Sequence, residues 1–70
     1  MLPDRTPSAV RSAREIAGQT QAQAAALVRL RGQAAWSEYE RGIRRIDEAR
    51  WELYLLLTGQ HPTHEMGRRA

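Results

Sequence analysis

The chain has 70 residues, no cysteine and a formal net charge of +3. A chain this short holds one domain with a core near the lower size limit for independent stability, which excludes a second, catalytic domain. Without thiolates neither a disulfide framework nor a thiolate zinc site can staple the fold, so apolar packing must hold it.

No apolar run approaches the roughly 18 residues of a membrane span. The opening Met1-Leu2-Pro3-Asp4-Arg5-Thr6-Pro7 lacks the basic-then-apolar order of a secretory signal, so a soluble, cytoplasmic protein with no membrane partner is expected. All eleven basic residues are Arg. Five of them, Arg29, Arg31, Arg41, Arg44 and Arg45, lie in one central stretch against only Glu38 and Glu40. The net charge is therefore concentrated there, as a phosphate backbone would select.

In chain order, residues 1–6 read as a flexible arm. Thr6 before Pro7 has the form of an N-cap with proline at the first helical position, where its missing N–H is harmless. A helix over about 7–17 follows, with Val10, Ala13 and the Ile16-Ala17 pair at helical spacing and Gly18 as its stop. Thr20-Gln21-Ala22-Gln23 fits a capping box and opens a second, alanine-rich helix to about Val28. After a break at Arg29 to Gly32, a third helix spans about 33–41, with Ala35, Trp36 and Tyr39 as its inward stripe and Gly42 as its end. Ile43 to Ile46 form a basic connector. Asp47 caps a fourth helix that runs to about Thr58 and is closed by Gly59 and Pro62. Residues 60–70 are polar and aperiodic and read as a flexible tail.

The fourth helix carries apolar residues around more than one face. Trp36, Tyr39, Trp51 and Tyr54 fall at helical spacing and read as core rather than as base-stacking groups. The surplus on the fourth helix predicts a homodimer surface at Trp51, Tyr54 and Leu55. His61 and His64 with Glu65 have metal-ligating chemistry, but Pro62 breaks their helical display and no third spaced ligand accompanies them, so no metal is expected. With no nucleophile, paired acid and base or glycine-rich phosphate loop, the sequence predicts a non-enzyme without cofactors.

The run Thr20-Gln21-Ala22-Gln23-Ala24-Ala25-Ala26-Leu27-Val28, followed by Trp36 and Tyr39-Glu40-Arg41-Gly42, resembles the DNA-binding domain of the Cro and lambda-repressor family of XRE-like regulators. The resemblance covers roughly 10–59. It implies an all-α, four-helix lambda-repressor-like domain over 7–59, with a helix-turn-helix at about 20–42 that binds double-stranded DNA and represses by occupying a promoter. In that family the second helix crosses the DNA backbone and the third enters the major groove. The resemblance then implies a phosphate contact at Gln21 and a structural ion pair between Arg14 and Glu40. It places the reading face at Gly32, Gln33, Ala34, Ser37 and Glu38, beside Arg31, with Gln33 suited to bond adenine bidentately. Arg41, Arg44 and Arg45 would meet flanking phosphates. Arg29 to Gly32 is one residue longer than the usual turn, and the reading face is poor in long side chains, so readout would lean on phosphates and DNA shape. The alternative is a helical module that uses the same fold to engage another protein, such as a toxin or polymerase subunit.

Overall fold

Four helices form in the computed structural model, which describes residues 3–63: α1 (Pro7–Ile16), α2 (Gln21–Leu27), α3 (Gln33–Glu40) and α4 (Glu48–Leu57). No strand occurs among the described residues. No helix among them is long and apolar enough to cross a membrane. The outer parts of the expected arm and tail, residues 1–2 and 64–70, lie outside the described residues.

Three helix starts are closed by a side chain, each worth about 1 kcal/mol. The Thr6 hydroxyl accepts from the Ala9 N–H at 3.1 Å. Thr20 and Gln23 close a reciprocal box at 3.1 and 2.9 Å. The Asp47 carboxylate accepts from the Arg50 N–H at 3.0 Å. Only α3 begins without such a cap, at Gly32.

All four helices end in the same motif, in which a residue with left-handed backbone turns the chain and its N–H and the next one return to the last free carbonyls. Gly18, Gly42 and Gly59 fill this position after α1, α3 and α4, but after α2 it is Arg29, with φ of 64°. Its N–H donates to Ala26 at 3.2 Å and the Leu30 N–H donates to Ala25 at 2.8 Å. This conformation costs a side-chain-bearing residue about 1 to 2 kcal/mol. The two hydrogen bonds, together with the packing of Leu30 against the core, hold Arg29 there.

The core is built around Trp36. Its ring lies 4.9 Å from that of Tyr54 and 5.8 Å from that of Tyr39, the latter edge-on. Val10 and Ala13 of α1, Ala24 and Ala25 of α2, Val28, Ile46, Trp51 and Leu55 complete it. The small side chains of Ala24 and Ala25 let α3 approach α2 closely, and α3 also packs on α1.

Several expectations are corrected by this packing. Trp51, Tyr54 and Leu55 are buried inside one chain and cannot form a dimer surface. At spacings of three and four they make a single stripe, which α4 spends on its own core. The apolar surface that α4 leaves open is Leu57, 40% exposed. Ile16 is also outside, 74% exposed, because each helical step turns the chain by about 100° and the inward positions are Val10, Ala13 and Ala17. Ala35 is only half buried, whereas Ile46 of the basic connector is a core residue.

The described ends are tied down rather than free. The Trp51 indole N–H donates to the Pro3 carbonyl at 2.9 Å and Arg5 Nη1 donates to the Ile46 carbonyl at 3.0 Å. Gln60 Nε2 donates to the Ala13 carbonyl at 3.0 Å. His61 meets Glu52 at 3.0 Å.

Replacing Arg29 with Gly relieves the left-handed strain without removing a backbone bond. We expect Arg29→Gly to stabilise the fold by about 0.5 to 1 kcal/mol, read as a higher urea midpoint at unchanged slope. A lower midpoint would mean that the Arg29 side chain contributes more than its backbone costs.

Candidate nucleic-acid interface

Glu40, in the last turn of α3, organises the site. Its carboxylate accepts from Arg14 Nε at 2.6 Å and Arg14 Nη2 at 3.2 Å, from the Trp36 indole N–H at 2.6 Å and from Gln21 Nε2 at 3.1 Å. One carboxylate therefore joins α1, α2 and α3. Arg14 and Glu40 side chains are only 16% and 6% exposed. Arg14 also donates to the Gln19 carbonyl at 3.0 Å, and the Tyr54 hydroxyl donates to Gln19 Oε1 at 2.7 Å. Burial pushes the Tyr54 phenol up to about 12, so it remains a protonated donor at neutral pH.

The network continues outward. Gln33 Nε2, at the start of α3, donates to Gln21 Oε1 at 3.2 Å, so an unbroken set of hydrogen bonds runs from Arg14 through Glu40 and Gln21 to Gln33. Beyond it Gln33, Ala34 and Arg41 are exposed and Ser37 is half buried. These positions share the outer side of α3, opposite Trp36 and Tyr39. Arg41 Nε donates to the Ser37 hydroxyl at 3.2 Å, which lays the guanidinium along this surface.

The other predicted residues fall to one flank. Glu38 pairs with Arg44 at 3.2 Å, neither with Arg41 nor with Arg45. Arg31, Arg44 and the buried ring of Tyr39 line a cleft between the α2–α3 turn and the α3–α4 connector. Arg45 lines a neighbouring cleft with Arg5 and Arg44. The structure thus separates the predicted set into an outer face of α3 with Gln21 at its edge, and an arginine-rich flank. Arg5 and Arg50 escaped sequence reasoning, and Arg29 was read only as part of the basic stretch. It carried a further signal, since it occupies the helix-stop position that glycine fills after the other three helices. Among the described residues no group of three or more His, Cys, Asp or Glu could hold a metal ion; His64 and Glu65 lie outside them.

Burial by itself would raise the Glu40 pKa, but the N–H donors of Arg14, Trp36 and Gln21 outweigh it and hold the carboxyl below its ordinary value. A depressed folded-state pKa contributes stability above the unfolded value of about 4.3, and that contribution is lost as pH falls through the folded value. We expect Glu40→Ala to cost about 3 kcal/mol at pH 7, because it strands a mostly buried Arg14. The gap to the parent chain should narrow steadily below about pH 4 in urea titrations. A gap independent of pH would assign the loss to packing alone. Compared with known proteins, the chain matches no family model, no curated protein and no solved structure, so the functional reading rests on this geometry.

Proposed function

We propose that the chain binds double-stranded DNA as a helix-turn-helix regulator, with α2 lying across the backbone and α3 in the major groove. The observation that carries this reading is the outer side of α3. It presents Gln33, Ala34, Ser37 and Arg41 on a helix whose inner side is anchored by Trp36 and by the Glu40 network. Base readout needs side chains on a rigid element, and this element is fixed to both neighbouring helices. The surrounding arginines supply the phosphate attraction that dominates affinity.

Gln33 is the base-reading residue, Gln21 a phosphate contact at the start of α2, and Arg41, Arg44 and Arg45 the flanking phosphate contacts. The chain acts by occupying a promoter. Two copies would sit on half-sites about one helical turn apart. Among the described residues, Ile16, Ile43 and Leu57 are the exposed large apolar side chains available to join them or to engage another protein, which is the alternative reading.

The test is selection from a randomised duplex pool, followed by anisotropy titrations of the enriched and a scrambled duplex over a range of salt. We expect enrichment of one sequence, bound at least about a thousandfold more tightly than the scrambled duplex. Gln33→Ala should reduce that preference, while Arg44→Ala should weaken all duplexes alike and lower the salt slope by about 1. Equal, weak binding that vanishes with salt would overturn the reading. Loss of capture of another protein by Leu57→Arg, with α3 variants silent, would favour the interaction module.

A further inference from the structure

Four arginines, Arg29, Arg31, Arg44 and Arg50, border the cleft of about 260 Å³ between the α2–α3 turn and the α3–α4 connector, against one acid, Glu38. Two of them already have partners: Arg44 pairs with Glu38, and Arg50 donates to the Val28 carbonyl and to Asp47. Arg29 and Arg31 have no ion-pair or hydrogen-bond partner through their side chains among the described residues. Like charges crowded around one concavity repel, and a bound anion removes that repulsion. Arg29 borders this cleft from the left-handed helix-stop position after α2, where the backbone hydrogen bonds of Arg29 and Leu30 fix its place.

We propose that this cleft is a phosphate-binding site, in which Arg29 and Arg31 hold a phosphoryl group and Arg44 joins them by releasing Glu38. Guanidinium forks match phosphoryl oxygens and remain charged at every physiological pH. The phosphoryl group belongs either to a DNA backbone beside α3 or to a free oligophosphate. The site stands on the cleft itself and survives failure of the base-reading role of α3.

The probe is sodium pyrophosphate at fixed ionic strength, followed by ¹⁵N NMR of backbone amides and arginine Nε groups. We expect saturable shifts at Arg31, Leu30, Ala35 and Arg44, with Arg11, which lies outside the cleft and is paired with Glu15, unmoved. Arg29→Gly and Arg31→Gln should each weaken binding by about tenfold, and the double variant should abolish it. Arg29→Gly is expected to keep the fold, and an unchanged or higher urea midpoint lets its loss of binding be read as loss of the guanidinium. Arg11→Gln should leave pyrophosphate affinity unchanged.

Unsaturable shifts spread evenly over the exposed arginines, or full affinity in the double variant, would overturn the site. The same variants titrated with duplex DNA separate the sources. Uniform weakening on every duplex, with pyrophosphate competing, assigns the phosphate to DNA. Unchanged duplex binding with pyrophosphate binding lost assigns a free oligophosphate. Saturable pyrophosphate binding by a chain that binds no duplex keeps the cleft and removes the DNA reading.

Discussion

A single carboxylate, Glu40, is the constraint on which the rest of this fold depends. Helices this short do not hold themselves together in water, and α2 has only seven residues. Their mutual placement requires interactions that cross between elements, and Glu40 collects N–H donors from α1, α2 and its own helix. Removing a charge from water is expensive unless its hydrogen-bonding capacity is filled. Here that condition is met by a guanidinium, an indole and an amide, and no buried side-chain nitrogen or oxygen among the described residues lacks a partner. The arrangement contributes orientation more than net stability, because it admits one relative placement of the three helices.

Much of this architecture could be read in the sequence, because the signals were local. Thr6-Pro7, the Thr20 to Gln23 box and Asp47 mark helix starts through chemistry confined to a few residues. Gly18, Gly42 and Gly59 mark ends in the same way. What was not legible depends on distance or on burial. An apolar count on the fourth helix could not distinguish a surface at Trp51, Tyr54 and Leu55 from a core stripe, since the difference lies in which residues of other helices face them. Ile46 looked like part of a basic linker because its neighbours are arginines, yet it is buried. The Arg14 and Glu40 pairing came from a resemblance, and nothing in the spacing alone identifies Trp36 and Gln21 as the other donors. Within the candidate site, the outer residues of α3 were singled out by the resemblance, whereas the clefts are assembled from separate loops and carry no periodic signature.

The arginines fall into distinct physical situations. Arg14 is a structural cation enclosed by its partners, and Arg50 bridges α4 to the carbonyl end of α2. Arg41 and Arg44 lie on the surface in weak local contacts that water and salt readily replace. Arg29 and Arg31 border the same cleft as Arg44, and like Arg45 they have no side-chain partner among the described residues. The charge of Arg29, Arg31 and Arg45 is therefore more available to an incoming anion than that of Arg14 or Arg50, and a uniform count of basic residues would have ranked them together.

The bonds that tie the chain ends to the middle of the fold have a consequence for how it is made. Trp51 reaches back to Pro3, Ile46 receives Arg5, and Gln60 closes onto Ala13. In each case the partners are separated by more than half of the 70 residues, so α1 is synthesised well before the residues that seal it. At roughly 5 to 20 residues per second the interval lasts seconds, far longer than a helix takes to form and melt. The nascent α1 therefore samples helix without keeping it, and the domain closes only when α4 emerges. Folding of this domain is set by the arrival of its last helix rather than of its first.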